Sequence, residues 1–427
     1  MVPLIAFWTL LAQEPVIRLD VQHVLVPLVV TDKKGHHVPG LRSSEFRIFE
    51  DGVEQEIASF STDTAASVDD VAALSKSSSA AGPRHTFVIC IDTLHISNAA
   101  RTREALENLF EKEKPADAQF VVIGIGRQLQ VLQPATTNPL AILVKLRSPA
   151  FLSAVGGLDA SALAAQLQNI RTRMEEFCKH CACGMRTSQR NCDSEIDTLK
   201  QSIDAEAERW IAPANALLDQ FTKVVEELAK LPTGRTLILV SDGFNLDPKL
   251  EFYRVVSEYL PQVKPAESKD AESILRQALK VASERNVVID TIDSRGSAVP
   301  SIASSGSMDA SAPGRNSSDY SVLGSNRSRS DKPAAPINTS GSKTNRLQLD
   351  LSPEMEQLAR VTGGVYFHDS QDLLKQFRAA LSDGRQYYVL SYTPRNSAHD
   401  GKFRNITVEI KDTKLSVRAK SGYWAAQ

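Results

Sequence analysis

Carboxylates that end apolar runs are the residues best placed for chemistry in this 427-residue chain. Phe87 to Ile91 run without a polar interruption and stop at Asp92; Leu237 to Val240 stop at Ser241, Asp242 and Gly243. Two acids at the ends of neighbouring strands can share a hard cation such as Mg2+, Mn2+ or Ca2+, which takes oxygen ligands. The alternative is structural: Asp92 accepts hydrogen bonds from nearby backbone amides, and Asp242 caps the turn before Phe244. Asp290 and Asp293 end another run and are expected in turn hydrogen bonds or an ion pair with Arg295. His95 is expected at the surface or in a turn rather than as a ligand.

The second constellation is Cys178, Cys181, Cys183 and Cys192, with His180 among them. Four such thiols make two disulfides in an exported chain, coordinate zinc, or stay free and redox-active. Pairing Cys181 with Cys183 closes too tight a ring. That leaves Cys178 with Cys181 or with Cys183, and Cys192 with the remaining partner. Cys90 sits inside the first apolar run as an inert core thiol. The chain has no P-loop, no Gly-x-Ser-x-Gly elbow and no His-Glu-x-x-His pair. Gly124-Ile125-Gly126 lacks the third glycine of a dinucleotide-binding fingerprint.

Elements that hold these residues follow from periodicity. A continuous apolar run bounded by turns reads as a strand buried on both faces of a parallel sheet. Ligands of such open sheets bind at the carboxyl ends of the strands. From His85 onward strands alternate with helices, which predicts a doubly wound α/β fold over 85–384. That unit includes a largely helical, cysteine-bearing excursion over 160–230 and a Ser-rich insertion over 296–345. The insertion has too few large apolar residues to fold. Ser97 is expected to cap the helix that follows Asp92. Residues 16–62 and 385–427 read as strands, with Asp51-Gly52 as a hairpin turn, and are expected to join in one small β-sandwich. Residues 63–84 read as a linker.

Charge is nearly balanced, 49 basic residues against 51 acidic, which gives nucleic-acid binding no support. Val2 to Ala12 are apolar, too short to span a bilayer, and fit the core of a secretory signal within residues 1–15, although no basic residue precedes them. A secreted, periplasmic or cell-envelope location with no transmembrane segment is expected.

Several motifs occur in a telling order: Leu25 to Asp32, Gly40-Leu41, Glu45-Phe46, Glu50-Asp51-Gly52 with Gln55, Ile91 to Leu94, and Leu239 to Gly243. Ile289 to Asp293, Thr362 to Gly364, Tyr388, Ser391 to Pro394, Asp400 to Phe403 and Gly422-Tyr423 follow. The chain thereby resembles the VWFA-related proteins described mainly from acidobacteria, a branch of the von Willebrand factor type A group. The resemblance implies an exported protein with a Rossmann-like A domain and no established biochemical activity. Type A domains often hold a divalent ion through Asp-x-Ser-x-Ser, a later Thr and a later Asp. Carried over, Asp92 and Asp242 match, whereas Leu94 and Ile96 stand at the two hydroxyl positions. Thr93 and Ser97 are one residue out of step, and Thr136 and Thr137 are candidates for the intervening Thr. The implied function is a non-enzymatic protein-binding or adhesion module with a degenerate metal site and an unidentified protein partner. The alternatives are a metal-dependent hydrolase or accessory factor using Asp92, Asp242 and Asp293, and a thiol-active protein using Cys178 to Cys192.

Overall fold

The computed structural model describes residues 23–62, 85–113, 118–149, 151, 160–181, 190–231, 234–244, 246, 248–264, 270–296 and 353–426. The possible signal, the linker, Cys183 and all of the Ser-rich insertion but Gly296 lie outside them.

Alternation in strand β1 (Val24–Thr31) turns Val24, Val26, Leu28 and Val30 into one core. Strands β2 (Phe46–Glu50) and β3 (Val53–Gln55) are joined by Asp51 and Gly52, whose φ values of 48° and 81° are those of the expected Asp-Gly hairpin. Strand β4 (Ile57–Thr62) crosses to the sheet of β1.

The α/β unit contains β5 (His85–Asp92), α1 (Ala99–Asn108), β6 (Ala118–Ile125), β7 (Gln130–Thr136) and α2 (Pro139–Leu146). Next come α3 (Ala160–Cys181), α4 (Arg190–Leu228), β8 (Gly234–Ser241), α5 (Pro248–Tyr259), α6 (Asp270–Glu284) and β9 (Val288–Asp293). It ends with α7 (Pro353–Thr362), β10 (Tyr366–Phe367) and α8 (Leu373–Asp383). The sheet runs β10-β9-β8-β5-β6-β7, parallel except for the β7 edge. This is the doubly wound Rossmann-like order, with its switch point between β5 and β8. All eight residues of β5 are buried. Phe87, Ile89 and Ile91 pack with Leu106, Ile142 and Phe377 on one face. Val88 and Cys90 pack with Phe221, Leu279 and Leu358 on the other.

The remaining strands, β11 (Tyr388–Tyr392), β12 (Phe403–Ile410), β13 (Ser416–Ala419) and β14 (Gly422–Trp424), complete two four-stranded sheets. Their orders are β13-β1-β11-β4 and β14-β12-β2-β3, so both ends of the chain build one sandwich. Ser283 on α6 donates to the Gly422 carbonyl at 2.8 Å, and Arg418 pairs with Asp383, so the sandwich is tied to the α/β unit.

The helical excursion has a core of its own, with Leu167, Ile170 and Met174 of α3, Ile203 of α4, and Phe252 and Val255 of α5. Cys181 and Cys192 form a disulfide with their Cα atoms 5.7 Å apart, and Cys178 is disulfide-bonded as well. Cys90 is a buried free thiol whose pKa is pushed far up by burial. Among the described residues no helix is long and apolar enough to cross a membrane.

Candidate functional site

Strand register assembles the site. Ser241 pairs with Asp293 across β8 and β9, and Ile91 pairs with Val240 across β5 and β8. Asp92, Ser241 and Asp293 therefore stand in one row at the carboxyl ends of three adjacent strands, with Asp242 one residue beyond. The chain must turn sharply here, and polar side chains satisfy the amides that leave the sheet.

Asp92 is fully buried and spends both oxygens on that task. Oδ1 accepts from the amides of Leu94 at 2.8 Å and His95 at 3.1 Å. Oδ2 accepts from the Ser241 hydroxyl at 2.6 Å and meets His95 Nδ1 at 2.8 Å. Asp242 Oδ2 accepts from the Ser97 amide at 2.8 Å and from the Ser97 hydroxyl, and its Oδ1 from the Ser294 hydroxyl. Asp293 is clamped by Arg295 through Nε at 3.0 Å and Nη2 at 2.6 Å, the ion pair expected of it. Asp290 stands apart from this row: expected in a turn hydrogen bond, it is instead buried inside β9 and accepts from the distant Val365 amide at 2.8 Å.

Several expectations are corrected by this geometry. Helix α1 is capped by Asn98, whose Oδ1 accepts from the Arg101 amide at 3.0 Å, while Ser97 serves Asp242. Asp242 therefore bonds to the β5–α1 turn and to Ser294 rather than capping its own turn. His95 lies in the turn after β5, one of the two places expected, but is buried there rather than at the surface, and packs near Phe244 with ring centroids 6.0 Å apart. Thr93 turns its hydroxyl away, to the Ile125 carbonyl at 3.0 Å. A Cβ on Gly126 would come within 2.3 Å of that hydroxyl, so the glycine after β6 makes room for Thr93 rather than for a nucleotide. Thr136 pairs with Phe120, near the amino end of β6. Because β7 runs antiparallel, Thr136 and the adjacent Thr137 lie at the opposite edge of the sheet from Asp92.

Charge is balanced inside the cluster. Burial, the largest influence on Asp92, raises its pKa, but the adjacent His95 and the donated hydrogen bonds leave it below the usual carboxylate range. Burial likewise opposes a charge on His95, and Asp92 overcomes it, so His95 holds its proton above the usual imidazole range. Asp242 is raised, first by burial, because the hydrogen bonds from Ser294 and Ser97 only partly offset it.

A divalent ion does not fit these residues. Leu94 and Ile96 carry no ligand atoms, and the oxygens of Asp92 and Asp242 are engaged by donors. The imidazole of His95 already occupies Asp92 Oδ2, and Asp92 raises its pKa. Among the described residues no three His, Cys, Asp or Glu side chains are grouped so that they could hold a metal.

No protein-family model matches the chain, and no curated protein matches it by sequence. Solved structures match at the level of general shape. An aerotolerance-related membrane protein from Bacteroides fragilis is similar over 70% of this chain and 98% of its own, at 11% identity and a TM-score of 0.30. BatB from Bacteroides thetaiotaomicron covers 70% and 98%, at 12% identity and 0.27. The VWA domain of SpRpn10 covers 49% of this chain and 74% of its own, at 14% identity and 0.21. At these scores the likenesses carry no argument; strand order and register define the fold.

Sequence reasoning missed the parts contributed by distant segments. Arg101 on α1 donates to the carbonyls of Ser294, Arg295, Ser370 and Gln371, joining the turn after β9 to the one before α8. Beyond the end of β6, Arg127 faces Glu206, Arg209, Trp210 and Pro213 of α4 across a recess of about 580 Å3. Pro213 inside the helix lacks the amide that would bond to the Arg209 carbonyl. A Trp-x-x-Pro within a helical stretch was the one signal in the sequence for it.

Proposed function

We propose that this chain is an exported, non-enzymatic protein-binding module that contacts its partner at the carboxyl ends of the strands, without a metal. The observation that carries this reading is the recess between Arg127 and Trp210. Tryptophan and arginine dominate the energetically important centres of protein interfaces, and here they border a concave surface beyond the carboxyl end of β6. Asp92, Asp242, Ser97 and Thr93 act in this reading as the internal frame of the binding face. The stretches 16–62, 85–384 and 385–427 are its structural units, and the acidobacterial VWFA-related branch remains its proposed affiliation on the motifs quoted above. Two disulfides in the helical excursion accord with export. Among the described residues the hydrolase alternative lacks a metal-donor set, and the thiol-active alternative has Cys178, Cys181 and Cys192 bonded.

The test is photo-crosslinking from position 212, at the recess, in envelope fractions, comparing wild type with an Arg127→Glu/Trp210→Ser variant of unchanged unfolding temperature. Discrete adducts lost in the variant are expected. Adducts that persist unchanged, or none at all, would overturn the reading.

A further inference from the structure

Strand β1 is apolar on both faces. Val24, Val26, Leu28 and Val30 fill the sandwich core, but Leu25, Pro27 and Val29 point the other way, as does Val389 of β11. An antiparallel sheet facing water on one side alternates apolar with polar residues, and β1 does not. None of these four outward residues belongs to a hydrophobic core cluster. They line a cavity of about 260 Å3 between the sandwich and the amino ends of β8 and β9, remote from the strand-end row.

The opposite wall is polar, with two cations and two acids. It includes Arg235, Glu284, Arg285, Asn286 and Asp383. The two acids are matched: Glu284 by Lys280 at 3.9 Å and Asp383 by Arg418. Arg235 is engaged through Nε with the Leu231 carbonyl at 2.5 Å. The Arg285 side chain has no ion-pair partner among the described residues. An apolar wall facing an unmatched guanidinium across a half-open cleft suits a ligand with an apolar body and one anionic end. The volume lies just below the roughly 300–1,000 Å3 of typical small-molecule pockets, which also favour domain interfaces.

We propose that this cavity is a binding site for a small amphipathic carboxylate, its apolar chain against Leu25, Pro27, Val29 and Val389 and its head group on Arg285. A guanidinium recognises a carboxylate through two parallel N–H donors. The site is independent of the proposed partner face, so either can fail alone.

The experiment is calorimetric titration of the full chain with decanoate below its micelle concentration, with decanol as the uncharged control. Wild type is expected to bind decanoate at least tenfold more tightly than decanol. Arg285→Gln, at an exposed position, is expected to remove most of that preference while leaving decanol binding unchanged. Val389→Trp fills the cavity and is expected to weaken both ligands tenfold or more; Leu25→Trp does the same should Val389→Trp fail to fold. Absence of binding to wild type, the outcome if a stretch of this chain or a second copy covers the wall, overturns the proposal. So does binding that is indifferent to Arg285→Gln or to both cavity-filling variants.

Discussion

Replacing Asp92 by alanine tests whether the strand-end row is held together from within. The side chain has no exposure to solvent. Its removal strands four donors at once: two backbone amides, the Ser241 hydroxyl and His95 Nδ1. Breaking a buried ion pair by deleting one partner costs about 3–5 kcal/mol, because the remaining charge loses its compensation. We therefore expect Asp92→Ala to lose about that much in urea unfolding at pH 6, and Asp92→Asn to lose less, since its Oδ1 still accepts from the Leu94 and His95 amides. Each curve is to be recorded with Mg2+ and with chelator. A cation bound only by the folded state would add about 2.7 kcal/mol at a hundredfold excess over its dissociation constant. We expect no such increment in either protein. A loss below about 1 kcal/mol, or a Mg2+ increment that disappears in Asp92→Ala, would refute the reasoning.

The same pair sets a pH window. The lowered Asp92 contributes stability above the unfolded carboxylate value of about 3.9, lost as pH falls through its folded pKa. The raised His95 contributes below about 6.5, lost as pH rises through its folded pKa. His95→Gln should flatten the alkaline decline in a pH series of denaturation midpoints. Lys420 is buried with its Nζ 3.1 Å from Asn286 Oδ1, and burial brings its pKa down to about 7. The unfolded chain then holds more protons between about pH 7 and 10.4, so wild-type stability should gain from this residue across that range, and Lys420→Met should abolish the gain. Asp290 is raised to about 8, first by burial and then by Asp383, and one of its carboxyl oxygens has no hydrogen-bond partner. Its contribution should fall between about pH 3.9 and 8, and Asp290→Asn should remove that fall in the same assay. Replacing Cys181 and Cys192 by serine opens a loop with a sequence separation of 11 residues. Loop-closure entropy puts the loss at about 2–3 kcal/mol. Hydrogen exchange should localise it to α3 and the first half of α4; equal deprotection of β5 would contradict the separate core there.

What the sequence determined by itself is what short-range patterning encodes. The apolar runs ending at Asp92 and Ser241 are buried strands because nothing polar interrupts them, and the strand–helix alternation from His85 dictates a doubly wound sheet. Asp51-Gly52 makes its hairpin because those residues tolerate positive φ. The absence of hydroxyls at Leu94 and Ile96 was visible at once, and so was the doubt it cast on a metal. What the sequence did not reveal depended on contacts between distant segments. His95 has the sequence context of an ordinary turn histidine, yet Phe244, more than 140 residues away, packs near it, and Ser241 holds the Asp92 that it meets. Ser97 looked like a helix cap, and only the register of β5 against β8 made it the partner of Asp242. The Thr136 and Thr137 candidates failed because β7 is antiparallel, a pairing direction that its own residues do not specify. Arg127 meets Trp210, and β1 shows its second apolar face to the α/β unit, only after the chain has folded across itself. Periodicity records which way a side chain points along its own element; what it points at is decided by tertiary packing.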